Sequence, residues 1–429
     1  MNYEEAMSYI QEVGNFGSNY GLERTYRILE LLGNPQNELK IIHIAGTNGK
    51  GSITSMTACL LKEKGFKVGM YTSPFLEEFE ERIQINFQNI PKDTLARLMT
   101  KVKGAVDTVI SEGYNHPTEF EIITCLMYYY FYLEKVDYAV VEVGLGGRLD
   151  STNCIMPIIS VIASISFDHT NLLGETLKEI ATEKSGIIKK DVPVIIYPQE
   201  KEAYDVIIEK AKKEGSKVYE ALKDYRAEFL EVVQEDRYYQ RISVNNYVVD
   251  LPLLGEHQIN NFLTALKVYE VLCKIENINF DFDEVIQNIK SAKWIGRLEV
   301  LKKNPLLVID GAHNIQGITA LTNNIQKYFK YNKLYLILGI LADKEVEKMV
   351  KMIAPLADKV ITLAPHSSRA EKSDKLKEVV LKYNKNCISL EEYKEALDVA
   401  MSEAQKDDLI VVSGSLYMIG DMRKIINNL

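Results

Sequence analysis

Gly46-Thr47-Asn48-Gly49-Lys50-Gly51-Ser52 follows an apolar run, Lys40–Ala45, and precedes a helical pattern, ITSMTACLLKEKG. Glycines let a tight turn aim several backbone N–H groups at one anion. A helix starting there presents its N-terminus to the same charge. Lys50 would add a point charge on β- and γ-phosphates, and Ser52 a hydroxyl for Mg²⁺. The turn departs from G-x-x-x-x-G-K-[ST]. Ile44 stands where the first glycine is expected, and Gly51 separates Lys50 from Ser52. A plain glycine-rich turn with a solvated lysine is the blander reading. Three glycines, a lysine and a hydroxyl between a good strand and a good helix favour phosphate. Thr47, Asn48, Gly49, Lys50, Gly51 and Ser52 are therefore the expected nucleotide contacts.

Other residues of chemical interest sit near the ends of apolar runs. Glu142 lies at the end of Tyr138–Val143, and Gly144, Gly146 and Gly147 after it let the chain pass close to a ligand. A strand-end carboxylate suits Mg²⁺, a hard cation that prefers oxygen, but alone it reads equally as an exposed acid. His169 follows Ile158–Ser166. Imidazole is an uncommon first choice for Mg²⁺, so residue type alone does not assign it. Lys184 lies near the end of a helical stretch, Glu175–Ser185, with Gly186 as the expected residue after the cap. Alone it reads as a surface lysine. Arg297 offers a planar fork for phosphate. Asp310-Gly311-Ala312-His313-Asn314 and Ser413-Gly414-Ser415 follow the runs Leu306–Ile309 and Leu409–Val412. His43, His116 and His366 lack comparable context and are read as structural. Trp294 is read as packing.

These segments need elements to hold them. The strand runs are Lys40–Ala45, Lys67–Tyr71, Tyr138–Val143, Ile158–Ser166 and Val194–Tyr197, then Leu306–Ile309, Leu334–Leu338, Lys359–Leu363 and Leu409–Val412. Near-continuous apolar runs separated by helical patterns predict parallel sheets in βαβ units. Ligands gather at the carboxyl ends of such strands. Residues Glu220–Leu253 end in an alternating pattern, ISVNNYVVDLPL, which predicts an antiparallel excursion. The fold class is α/β. An N-terminal P-loop-type ATPase domain with a parallel sheet is expected over 1–293, a linker over 294–299, and a smaller C-terminal Rossmann-like domain over 300–429. A cleft between two such domains is a preferred ligand site.

The chain has 429 residues, 46% apolar and 26% charged, which is ordinary for a soluble globular protein and excludes disorder, collagen and coiled coil. Lys plus Arg number 51 against 60 Asp plus Glu, and the net charge of -9 argues against a general nucleic-acid binder. Five cysteines without metal spacing read as reduced thiols. The N-terminus lacks a signal-peptide h-region, and no run of 18 apolar residues spans a membrane. A cytoplasmic protein is expected.

GTNGKGS, with its extra glycine after the lysine, resembles the folylpolyglutamate synthase and dihydrofolate synthase family, within the Mur ligase superfamily. Further segments match in order: TSPF (72–75), EVGLGGRLDSTN (142–153), FDHTNLLG (167–174), EKSGIIK (183–189), GEHQINN (255–261), GR (296–297), DGAHN (310–314) and SGSLY (413–417). The resemblance covers almost the whole chain.

The resemblance implies ATP-dependent addition of L-glutamate to a folate, or to dihydropteroate, through an acyl phosphate. It implies two Mg²⁺ sites, with Ser52, Ser73, Glu142 and His169 as metal residues, and it leaves room for a monovalent cation. It implies that Lys184 is carbamylated by CO₂ and that Asn261 contacts the adenine region; His257 and Gln258 are read as structural, Gln258 equally as a helix-capping amide. Arg297, Asp310 and His313 would complete the ATP site from the second domain, and Ser415 would help hold glutamate. Lys50, His169, Lys184 and Arg297 are the implied catalytic set, in a monomer. Pro74–Ile85 is implied to shape the pterin site, with Glu81-Arg82-Ile83 as the matching ERI; Phe75 departs from the family's usual His. Two other readings remain: a Mur-type peptidoglycan ligase, weakened by GTNGKGS and a phosphate loop starting at residue 46, and an ATP-binding switch without ligase activity.

Overall fold

The computed structural model describes residues 1–14 and 21–428. They form two compact units. The first comprises Met1–Phe75, Phe79–Arg226 and Asn260–Ile289; the second comprises Leu76–Glu78, Ala227–Ile259 and the chain from Lys290 onward.

The first unit is built on eight strands: β1 Ile41–Ala45, β2 Val68–Tyr71, β3 Ile83–Ile85, β4 Gln88–Asn89, β5 Tyr138–Glu142, β6 Ile159–Ile162, β7 Val194–Ile196 and β8 Val218–Glu220. Their order is β4-β3-β2-β5-β1-β6-β7-β8. The six from β2 to β8 pair in parallel, and β3 and β4 add an antiparallel edge. Every residue of β1 and β5 is buried, as expected of strands covered on both faces. One face packs on the helices Lys92–Ser111 and Glu119–Leu133 near Ile41, Ala139 and Val141, and further along the same face on Leu177–Lys184 and Lys201–Lys213 near Ala45, Ile162 and Ile196. Glu119–Leu133 and Leu177–Lys184 each begin with a capping box, Thr118 with Glu121 and Thr176 with Glu179. Arg24 meets the buried Glu121 at 3.0 Å. Within Glu119–Leu133, Tyr128, Tyr130 and Phe131 are buried and Tyr132 is exposed.

The second unit holds two sheets. β9 Ala227–Gln234, β10 Tyr238–Val244 and β11 Tyr247–Leu251 form an antiparallel meander. β12 Glu299–Lys303, β13 Leu306–Asp310, β14 Leu334–Leu338, β15 Lys359–Thr362, β16 Cys387–Ser389 and β17 Leu409–Ser413 form a sheet ordered β12-β13-β17-β14-β15-β16. Only the edge pair β12–β13 is antiparallel. The α/β class and the two sheets match the expectation.

The partition differs from a single cut near residue 293. The meander belongs to the second unit, because its inner face packs there. Phe229 meets Tyr328 at a 5.2 Å centroid distance, and Val232 and Tyr238 join the same apolar layer. Gln240, fully buried, accepts from the Tyr328 hydroxyl at 2.8 Å and donates to the Leu253 and Gly255 carbonyls. All five cysteines are buried free thiols. Among the described residues, no helix is long and apolar enough to cross a membrane.

Candidate functional site

The turn after β1 is stitched to the turn after β6. Thr47 N–H donates to the Ser164 carbonyl at 2.7 Å, and the Thr47 hydroxyl exchanges bonds with Ser166 backbone at 3.0 and 3.1 Å. Gly49 has φ +85° and caps the helix Lys50–Glu63. A Cβ there would lie 2.5 Å from Asn261 Oδ1, so only glycine lets the buried Asn261 approach the loop. Ser52 is buried in the first turn of that helix. Lys50 Nζ donates to the Thr47 carbonyl at 3.2 Å and lies 3.8 Å from Glu142 Oε1. Glu142, 4% exposed at the end of β5, accepts from the Ser73 N–H at 3.3 Å. Lys50, Ser73 and Glu142 thus converge as the sequence suggested.

Lys184 is no surface lysine. It is 4% exposed and donates to the Gly46 carbonyl at 2.7 Å. Burial, then the Lys50 charge, lower its pKa to about 7; Asp168 and Asp150 oppose this. The helix carrying it does not end on a left-handed glycine. It tightens into a 3₁₀ turn, Ser185–Ile187. Gly186 serves a different need: a Cβ there would stand 2.4–2.5 Å from Arg148 Cβ and Cα. Gly147 is likewise pressed on the Glu183 and Lys184 carbonyls, both 2.8 Å from its would-be Cβ. Asn153 Nδ2 closes the contact, donating to the Arg148 and Gly186 carbonyls at 3.0 and 3.1 Å. The loop after β5 therefore holds the helix end that aims Lys184.

Two acids in this region carry roles that residue spacing did not flag. Asp150 is buried and accepts from Leu145 N–H at 2.8 Å and from Thr152 N–H at 3.0 Å. Its carboxyl is pushed up by burial, against the pull of these bonds. Thr152 also bonds His43 Nε2 at 2.9 Å, and burial holds His43 neutral, its pKa lowered to about 3. Asp150 is visible in hindsight as an Asx-turn residue before Ser151 and Thr152. Asp168 accepts from the His169 N–H at 2.9 Å and lies 3.9 Å from its Nε2. His169 itself has φ +50° and caps the short helix Thr170–Leu173.

In the second unit, Asp310 at the end of β13 is buried and accepts from Leu298 N–H at 2.8 Å and Ala312 N–H at 2.9 Å. Burial raises its pKa, and the Arg297 cation opposes that. Arg297 Nη1 lies 2.6 Å from where a Cβ on Gly311 would stand. His313 Nδ1 bonds the Gly311 carbonyl at 2.7 Å, and Asn314 caps the following helix. Arg297, Asp310 and His313 are therefore gathered around one glycine. His257 joins them: burial, then the Arg297 charge, lower its pKa to about 4. Ser415 follows β17 beside this group: Ser413 pairs with Asp310, and Leu416 Cδ2 lies 2.4 Å from the would-be Cβ of Gly311; the Ser413 and Ser415 hydroxyls are buried with no hydrogen-bond partner among the described residues.

The donor set fits Mg²⁺. Glu142 is a buried carboxylate whose cationic neighbour stays 3.8 Å away, and Ser52 adds an oxygen. Mg²⁺ is held by one or two carboxylates with phosphate oxygens and waters rather than by an all-protein cage. Among the described residues, no three His, Cys, Asp or Glu side chains form such a cage.

The chain matches the Mur ligase middle domain over residues 44–269 and the Mur ligase glutamate ligase domain over residues 296–416, which makes it a Mur-ligase-type protein. It is 33% identical to the dihydrofolate synthase/folylpolyglutamate synthase of Bacillus subtilis, over 98% of each chain. It is 34% identical to the folylpolyglutamate synthase of Lacticaseibacillus casei, over 99% of this chain and 98% of that one. The folylpolyglutamate synthase of Mycobacterium tuberculosis complexed with ADP and AMPPCP superposes with a TM-score of 0.89 at 28% identity, covering 99% of both. The chain belongs to the folylpolyglutamate synthase/dihydrofolate synthase family.

Proposed function

We infer that this protein is an ATP-dependent ligase that adds L-glutamate to a folate by amide formation, and that it also accepts dihydropteroate. The observation that carries this reading is the phosphate loop. It brings a lysine, a buried carboxylate and a second, buried lysine together around Gly46–Ser52 in a chain of this family.

A substrate carboxylate oxygen bonds to the γ-phosphorus as the bond to the ADP oxygen breaks, giving an acyl phosphate. The glutamate amine then attacks the acyl carbon; the carbon–oxygen bond to phosphate breaks and the amine loses its proton. Lys50 and Arg297 hold the developing phosphate charge, and positioning carries most of such a transfer. Asp310 and His313 orient the phosphate end around Gly311, Asn261 holds the nucleotide side of Gly49, and Ser415 offers its free hydroxyl to glutamate. Ser52, Ser73, Glu142 and His169 would hold Mg²⁺ at two positions, where the ion neutralises phosphate charge.

Lys184 is carbamylated in this reading. Its neutral amine bonds to the carbon of CO₂ and releases one proton, leaving an anion beside the loop. The protein acts as a monomer in the cytoplasm.

The test is phosphate release. It should require ATP, a folate and glutamate together, and the product should gain one glutamyl residue by mass. ATP hydrolysis indifferent to folate and glutamate would favour a switch instead. Comparing dihydropteroate with tetrahydrofolate separates one activity from two.

A further inference from the structure

Every residue of β1, IIHIA, is buried, and His43 is the one that is not apolar. It pairs with Val141 on β5 and Ser160 on β6. Its Nδ1 has no hydrogen-bond partner among the described residues. An aliphatic side chain would fill a central strand position without an orphaned nitrogen, whose burial costs free energy. The ligation scheme gives this imidazole nothing to do.

Its other nitrogen starts a chain of hydrogen bonds. Nε2 meets the Thr152 hydroxyl at 2.9 Å, and that hydroxyl donates to Asp150 Oδ1. Thr152 has a single hydroxyl hydrogen and gives it to the carboxylate, so His43 acts as the donor to Thr152. That assigns the Nε2–H tautomer and leaves Nδ1 bare. A hydrogen on Nδ1 instead would make Nε2 an acceptor competing with Asp150 for the hydroxyl.

The chain continues into the loop after β5. Asp150 accepts from Leu145 N–H at 2.8 Å, and its own N–H donates to the Gly147 carbonyl at 3.2 Å. Arg148 N–H donates to the Glu183 carbonyl at 2.8 Å, at the end of the helix that carries Lys184. Lys184 Nζ in turn donates to the Gly46 carbonyl, at the carboxyl end of the strand that holds His43. The contacts close a ring, from His43 through Thr152 and Asp150 to the loop, then to Lys184 and back to β1. Every member lies in the first unit. Linked hydrogen bonds orient and strengthen one another, so a link lost on one side is felt on the other.

We propose that His43 is a positioning residue for Lys184: through Thr152 and Asp150 it fixes the loop 144–148 that aims the amine at the turn opening the phosphate loop. The inference rests on the reading of Lys184 as the carbamylated lysine.

Carbamate on Lys184 is read by NMR with isotope-labelled bicarbonate, with Lys184→Met as the blank, beside steady-state ligation and the melting temperature. His43→Leu removes the donor and leaves the Thr152 hydroxyl buried with one bond fewer. The bicarbonate needed for half occupancy should rise on the order of tenfold, the scale of one buried hydrogen bond, and kcat at fixed bicarbonate should fall with it. His43→Gln keeps an N–H donor of similar reach and should stay within about threefold of the parent.

The deciding variant is His43→Leu/Thr152→Val. It replaces both partners with apolar groups of similar shape, so the melting temperature should return toward the parent's. Asp150 still lacks the hydroxyl, so carbamate should stay as low as in the worse single variant. Carbamate at the parent's level in the double variant, or His43→Gln as depleted as His43→Leu, overturns the proposal and makes His43 a packing residue. A parent that gives no signal beyond the Lys184→Met blank at any bicarbonate concentration overturns the carbamate reading itself, and this inference with it. The two failures are therefore distinct.

Discussion

Lys184 Nζ donates to the Gly46 carbonyl at 2.7 Å, which places a buried amine directly against the turn that opens the phosphate loop. The same hydrogen bond satisfies a loop carbonyl and fixes the direction of the side chain. The pKa of about 7 follows from burial and from sharing this corner with Lys50.

That amine should shape the pH dependence of stability. Its folded pKa lies below its unfolded value, so between about pH 7 and 10.5 the unfolded chain binds a proton that the folded chain has released. Stability from this group therefore rises with pH across that window, with a slope approaching about 1.4 kcal/mol per pH unit. Urea unfolding of parent and Lys184→Met in CO₂-free buffer should diverge in slope over this range. Parallel profiles would refute it.

Carbamylation needs the neutral amine, so its occupancy should climb as pH passes about 7 with bicarbonate present. Lys184→Ala should lose ligation, and short carboxylates should partly restore it by supplying the missing anion. Intact mass under native conditions, read with and without CO₂, reports the modification. A parent whose mass never shifts, with a mutant that no carboxylate rescues, removes the carbamate from the mechanism.

Lys50→Ala should lower kcat by on the order of 10²–10³-fold, the scale of one lost preorganised charge contact. Lys50 is at the first position of its helix and contributes no apolar core, so the melting temperature should hold. Turnover close to the parent's would undo the phosphate-loop assignment.

Arg297→Ala should cost on the order of 10³-fold in kcat with a smaller change in ATP affinity, by analogy with arginine fingers. Arg297→Lys should rescue poorly, since it keeps charge and loses the fork. Kinetics and separate nucleotide titration decide this; near-parent kcat in both variants would make Arg297 a surface residue.

Gly147→Ala brings a methyl to 2.8 Å from two backbone carbonyl oxygens that cannot move without shifting the helix end at Lys184. The expected loss is about 1–3 kcal/mol, as for overpacking, together with reduced ligation. Denaturant melts and activity measured side by side test the link. A neutral substitution would show that the loop and helix are not pressed together.

Much of this was legible beforehand. β1, β5, β6, β13, β14 and β17 are buried on both faces, so their residues are apolar without interruption and easy to see. Lys50, Glu142 and Ser73 converge because each sits at the carboxyl end of a central strand or just after one. Short edge strands such as β4, β8 and β16 carry two or three residues each, too few for a period to register. The meander was visible as an alternating pattern, yet its unit was not. Alternation reports that one face is buried and is silent about which layer buries it. Asp150 and Asp168 escaped for a related reason. The partners given for them above are backbone N–H groups, and residue type alone carries no trace of these.

The pairing of Glu77 with Arg423 spans 346 positions. At roughly 5–20 residues per second of synthesis, the ribosome makes Glu77 about 20–70 s before it makes Arg423. During that interval the first unit has its own strands available through Arg226, but residues 76–78 have no counterpart to dock on. A nascent chain halted before the helix Leu416–Asn427 would therefore leave residues 76–78 without the Arg423 anchor.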